Sequence, residues 1–369
     1  MDKENIDGTL TTIFGKVKKE EEIIKANKRR LQQAEGTPLR MEPLQSIVGE
    51  QAAYHKWEKI LSGEIHLPED NVEEGTKLWY IYMQSYEDNP MEIDWTTEEY
   101  IESWKKMEET TASAPGIHTI HVKCLSTTTI SAEIVSSMAF IPLISGHVLE
   151  QWNPVVDAML LKKPNEYRLE KMRTNNLMQA RFNQNKKILG KMMMEYGENN
   201  NLLAEEQYGS RIEKSAIEHA INKRLIINIT RQTRTDAIYI ANDAKVCYDS
   251  ILLVVAHLTM RNFGIPEKAA LSSVKNIILM EHFVWIVYRD SKTGYGGSEW
   301  EKTPHGCGTG NGQGPSLWAG ISSPLLTTMK RKGYGTKMES PMSHDLFNIA
   351  ALTFVDDTDM VETSREQED

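Results

Sequence analysis

In NLMQARFNQNKKILGKMMMEY, residues 176–196, apolar side chains recur at intervals of three and four with basic residues between them. That spacing predicts a helix with one face turned to a core and one to solvent. The same interval joins Tyr248, Ile251, Val255 and Leu258, and Gly264-Ile265-Pro266 closes that second helix. A third opens with Pro315 in its first turn and runs to about Arg331. Elsewhere the pattern shifts to short apolar runs. AIYIA (237–241) stops at Asn242-Asp243, FVWIVY (283–288) leads into a hairpin loop at 291–297, and Ile349 to Val355 stops at Asp356-Asp357. Each predicts a strand. Residues 16–33 interleave charge with good helix formers and predict an exposed helix. Residues 34–115 predict short helices and loops around aromatic islands such as KLWYIY, and Pro115-Gly116 marks a boundary near Ala114. Strands and helices mixed without strict alternation predict an α+β fold.

Charge sharpens this picture. The 369 residues carry 42 basic and 52 acidic side chains, a net −10, but the two signs are unevenly placed. Glu64 to Glu109 holds 14 acidic and 3 basic residues, whereas Ala158 to Thr235 holds 15 basic and 8 acidic. A basic stretch on an acidic protein suits a polyanion, although two oppositely charged solvated faces would look the same. Three cysteines cannot form a disulfide framework, so an intracellular protein is expected, in nucleus or cytoplasm. The charged start MDKENIDG is not a signal peptide. Apolar runs such as Ile251 to Ala256 fall far short of the ~20 residues of a membrane span. Secreted, membrane and collagen-like classes are excluded on these grounds.

Two apolar strands end in carboxylates, Asp243 and Asp356-Asp357. Divalent-metal chemistry on phosphates needs acids held this way. Mg²⁺ takes one or two protein carboxylates plus phosphate oxygens, and two such ions ~3.5–4 Å apart serve an in-line displacement. Asp is also common wherever a strand enters a turn, so each site alone says little. Their context says more: DAKVCYD from Asp243, GNGQG followed by PSLW from Gly310, and FVDDTD from Phe354 stand in that order within about 120 residues. The three resemble motifs A, B and C of reverse transcriptases, the D-x4-[YF]-D segment, the G-x-x-Q-G segment opening a helix, and the [YF]-x-D-D hairpin. Upstream, Met159 to Leu177 resembles the basic fingers hairpin, LLAEEQYGSRIEKSAIEHAINK the segment before motif A, and SAPGIHTIH the opening of the fingers in non-LTR-type enzymes. The resemblance spans about 110 to 362.

The resemblance implies a right-hand polymerase with fingers at 111–235, palm at 236–369, and an N-terminal region, 1–110, of unassigned role. Asp243 and Asp356 would each ligate both metals, Mg²⁺ or substituting Mn²⁺, and Asp357 would be the less demanding acid. Tyr248 would be the steric gate against a ribose 2′-hydroxyl. Gln313 would line the nucleotide pocket, and Gly306, Gly308, Gly310, Gly312 and Gly314 would admit nucleotide and template close to the backbone. Arg173, with Lys163 or Lys162, would clamp the triphosphate. The implied partners are an RNA template, a DNA primer and dNTPs, with no membrane. The pattern stops shortly after motif C, so the thumb is expected to be missing and template grip weak. That leaves a non-catalytic, reverse-transcriptase-derived nucleic-acid binder as the alternative; a nuclease using the same acids would leave the glycine–Gln segment and Tyr248 without purpose. Asp249 is expected to fix its helix, Cys247, Cys307 and Met192 to Met194 to fill the core. His118, His121 and Cys124 have metal-like spacing but lack a fourth ligand.

Overall fold

The computed structural model describes residues 22–28, 90–114, 117–163, 172–244, 247–286, 289–290, 294–297, 306–339, 343–344 and 346–363. The KLWYIY island, residues 16–21 and 29–33 of the first helix, and residues 291–293 of the hairpin loop lie outside them. The chain is α+β. Helices α1 (Thr97–Lys105), α2 (Thr119–Thr127) and α3 (Thr129–Ser145) lead into strand β1 (Pro154–Leu161), which pairs antiparallel with β2 (Met172–Leu177) as the expected hairpin. Helices α4 (Ala180–Asn199) and α5 (Ala216–Gln232) precede β3 (Ala237–Asp243). After a 3₁₀ turn at Cys247–Ser250 come α6 (Leu253–Asn262), α7 (Glu267–Ile278) and β4 (Glu281–Ile286). The short strands β5 (Arg289–Asp290) and β6 (Tyr295–Gly296) pair with β4. Helix α8 (Gly314–Arg331) is followed by β7 (Thr336–Glu339), β8 (Leu346–Ile349), β9 (Ala351–Phe354) and β10 (Asp357–Thr363).

Three sheets result. One runs β2-β1-β4-β5 with β6 also on β4, and β1 lies parallel to β4; a second runs β3-β10-β9; the third is the β7–β8 pair. The helices α1, α3, α4, α6, α7 and α8 enclose a single large core in which Tyr100, Trp104, Leu189, Met193, Phe263 and Leu317 are fully buried. This core draws on residues before 110, between 111 and 235, and beyond 235. Trp95 and α1 belong to it, with the Trp95 indole donating to Ser136 of α3 at 3.3 Å.

Several expected elements are reshaped by tertiary hydrogen bonds. The helix expected through Tyr248 and Leu258 breaks into the 3₁₀ turn and α6, because the Tyr248 and Ile251 carbonyls accept from Cys307 and Gly306 of a distant loop. The strand expected from Ile349 to Val355 is interrupted at Ala350, whose carbonyl accepts from Val361. The return strand β10 is seven residues long and sits centrally between β3 and β9. Residues 22–28 are helical, but Ile23 and Asn27 are buried rather than exposed. Asn27 reaches a fully buried carboxylate, Asp157, which also accepts from Asn176 at 2.6 Å, from Tyr295, and bonds His282 Nδ1 at 3.1 Å. Four donors offset the cost of burying that group and pin the helical segment to the first sheet. Among the described residues no single helix is long and apolar enough to cross a membrane; α2 and α3 together reach the length but are bent by 110°.

Candidate active site

Strands β3 and β10 pair antiparallel so that Asp243 stands directly opposite Asp357 at the head of the second sheet. Residues opposed in a ladder share a face, so these two acids do as well. Asp356 occupies the two-residue turn between β9 and β10, and its carbonyl accepts from Ala244 just past the end of β3 at 3.2 Å. The turn is tight and costly. Val355 adopts φ 57°, a left-handed backbone that β-branched residues rarely take.

Two elements hold it there. The Trp318 indole N–H of α8 donates to the Val355 carbonyl at 2.7 Å. On the other side Gly209 lies so close that a Cβ would sit 2.4 Å from the Val355 nitrogen. The strip around Gly209 runs alongside β9, with Tyr208 N donating to Thr353 O and Thr353 N to Glu206 O.

The glycine-rich segment 306–314 docks on the 3₁₀ turn that carries Tyr248. Gly306 N donates to Ile251 O, Cys307 N to Tyr248 O, and Thr309 N to the buried Asp249 carboxylate at 3.2 Å. Asp249 therefore fixes this junction. On its far side the segment meets the β1–β2 hairpin, where Asn176 N donates to Thr309 O at 2.7 Å, and α4, where Asn183 Oδ1 accepts from Gly312 N at 2.6 Å.

At each of these glycines the side where a Cβ would stand is turned to the protein itself. A Cβ at Gly306, Gly308, Gly310, Gly312 or Gly314 would meet the Asp249 backbone, Met178, the Asn176 carbonyl, Lys187 or the Tyr248 ring. Their smallness serves contacts within the protein, and Gly310 at φ 117° needs glycine for its backbone as well. Gln313, expected to line a pocket, is buried to 1% exposure, with an amide nitrogen that has no hydrogen-bond partner among the described residues.

Electrostatics ties the acids to the 3₁₀ turn. Burial first, then the carboxylates of Asp356, Asp249 and Asp243, push the Cys247 thiol up to about 12, so it stays neutral. Burial, Cys247 and Asp356 likewise push the Tyr248 phenol upward. No family model matches this chain, and no curated protein matches it either.

Asp243 and Asp357 thus stand opposite each other at one end of the second sheet with Asp356 in the adjoining turn, and Gly314 lies against the Tyr248 ring. Arg173 and Lys163 are both exposed on the β1–β2 hairpin. Among the described residues no three His, Cys, Asp or Glu side chains form a ready set of metal ligands, and that includes His118, His121 and Cys124. Carboxylates at a sheet end fit a hard cation that brings oxygens of its own, which is how Mg²⁺ binds with phosphates. Trp318, Gly209, Asn183 and Asn176 were not singled out by pattern. Only Gly209, a small residue in the polar QYGS, carries any local signal.

Proposed function

We propose that this chain is the fingers-and-palm part of a retroelement-type reverse transcriptase, performing template-directed nucleotidyl transfer. The observation that carries the reading is the ladder register that opposes Asp243 to Asp357, with Asp356 in the adjoining turn. The sequence order of the three motifs agrees with it, as do the α+β sheets and the basic hairpin at 154–177. Asp243 and Asp356 would hold two Mg²⁺ ions with the triphosphate oxygens, and Asp357 would support them. When bound, the ions would lower the pKa of the primer 3′-hydroxyl and neutralise charge on the leaving pyrophosphate.

The protein's own part is positioning. The Val355 turn ties the Asp356 backbone to the end of β3, and the Tyr248 ring, which lies against Gly314, would close the space a 2′-hydroxyl needs. Exposed Arg173 and Lys163 offer phosphate-binding charge from the hairpin.

Primer extension tests this, using an RNA template, a DNA primer, dNTPs and Mg²⁺ or Mn²⁺. The wild type extends and Asp243→Asn does not. A second reading, binding of nucleic acid without catalysis, draws on the closed glycine segment and the buried Gln313. It predicts duplex binding indifferent to Mg²⁺ and unchanged in Asp243→Asn, with no extension by either protein.

A further inference from the structure

Side chains two apart on a strand share a face. The face of the second sheet that carries Asp243 and Asp357 therefore also carries Tyr239 and Ala241 of β3, and Asp359 and Val361 of β10. Helix α5 covers this face from the end away from the acids. Its Thr230 hydroxyl bonds the Tyr239 hydroxyl at 2.6 Å, its Ile226 is buried with Val361 and Leu352, and its Lys223 ammonium donates to Asp359 Oδ1 at 2.6 Å. The other oxygen of Asp359 faces His219 Nε2 at 3.6 Å, and the His219 ring lies against Tyr208 and Phe354. A capping box of Ser215 and Glu218 starts α5 just before His219. The helix thus sets both side chains, one turn apart, over a single carboxylate.

Asp359 is a further acid in line with the candidate metal ligands. It stands two residues from Asp357, about 6.7 Å along the same strand, and its partner across the ladder is the small Ala241. With metal–oxygen bonds of about 2.1 Å and a flexible side chain on each side, two acids at that spacing can share one hard cation. An ion held there would sit one step down the ladder, away from the turn that carries Asp356.

We propose that Lys223 is a specificity-determining counter-ion: by occupying Asp359 it confines divalent cations to Asp243, Asp356 and Asp357. The inference rests on the metal role proposed for those three acids. Lys223 acts through Asp359, as a positioning residue rather than a catalytic one. Stability is a poor account of the pair. The lysine side chain is 41% exposed, and pairs so open to water contribute little. The Ile226–Val361 packing and the Thr230–Tyr239 bond already join α5 to the sheet. A cation's choice among neighbouring carboxylates, by contrast, is electrostatic, and a fixed positive charge decides it.

Titration of the full chain with Mn²⁺, followed by electron paramagnetic resonance of the free ion, tests this without a polymerase assay. Lys223→Met should bind one more Mn²⁺ than the wild type, Lys223→Met/Asp359→Asn should lose the extra ion, and Lys223→Arg should match the wild type. Asp359→Asn alone leaves the lysine charge unopposed near the acids and should weaken wild-type Mn²⁺ affinity roughly fivefold. A pair that merely staples α5 would lower the thermal midpoint of Lys223→Met and leave Mn²⁺ uptake unchanged. That result overturns the proposal, as does an extra ion that survives Asp359→Asn. Asp243→Asn keeps the two readings apart. If it retains the wild-type ion, or if the wild type binds none, the acids are not metal ligands and the inference falls with them. If it loses the ion while the Lys223 and Asp359 variants behave as the wild type, the inference alone fails.

Discussion

At the scale of single residues, chemistry and cost meet in the turn 355–356. Val355 is held at φ 57° by one indole donor and one closely packed glycine, and the residue after it is Asp356. Unusual backbone at a turn bearing an acid is where function is sought first. Asp356→Asn should lower extension by roughly a thousandfold or more, since the ions it would hold contribute several kcal/mol; Asp357→Asn should cost less. Steady-state primer extension measures both. A second residue carries a stability prediction. Lys186 is buried over the Phe182 ring, and burial lowers its pKa to about 7, with the Cys307 thiol opposing the shift weakly. Unfolded, the side chain titrates near 10.5. Between about 7 and 10.5 the unfolded chain therefore holds a proton that the folded one has lost, and stability rises with pH. Below 7 the full cost of a buried ammonium is present. Lys186→Met should raise the thermal midpoint at pH 6 and flatten its rise between pH 7 and 10, read by calorimetry at a series of pH values.

At the scale of elements, backbone contacts decide the geometry. The second sheet places its acids by register alone, and a slip of one residue would turn Asp243 and Asp357 to opposite faces. The hairpin that carries Asp356 is set by the strip at 206–209, whose Gly209 leaves no room for a methyl group beside the Val355 nitrogen. Gly209→Ala should destabilise the fold by about 1–3 kcal/mol and lower kcat more than it raises KM, because the turn must shift. Urea unfolding beside steady-state kinetics separates the two effects. The glycine-rich segment works by the same logic. Its five glycines let one strip touch a 3₁₀ turn, a hairpin and a helix at once.

At the scale of the whole molecule, charge is the property with a measurable consequence. The net charge is −10, yet Ala158 to Thr235 is net basic, and its hairpin shows Arg173 and Lys163 to solvent. Binding of an RNA–DNA duplex should weaken as salt rises, and Arg173→Ala or Lys163→Ala should each reduce the log–log salt slope by about 1. A fluorescence-anisotropy titration at several salt concentrations reads this, and an unchanged slope would remove those residues from the phosphate contacts. The core has a consequence as well. Trp95, Tyr100 and Trp104 share it with Phe263 and Leu317, so residues from the acidic N-terminal part and from α8 belong to one packed body.

Local chemistry alone carried much of this. Interval patterns placed α4 and α8, short β-prone runs placed β3 and β4, and the acids at strand ends named Asp243, Asp356 and Asp357 before any geometry was known. Those signals are legible because helix periodicity, strand alternation and turn residues act within a few positions of themselves. The break at Ser250, the pairing of Asp243 with Asp357, the closed glycine segment and the buried Asp157 were decided by the tertiary structure. Each depends on a partner that is remote in sequence: Cys307 for Tyr248, β10 for β3, Asn176 for Gly310, His282 for Asp157. Spacing along one segment carries no information about which distant backbone will fill its hydrogen bonds, and only the folded chain brings the two together.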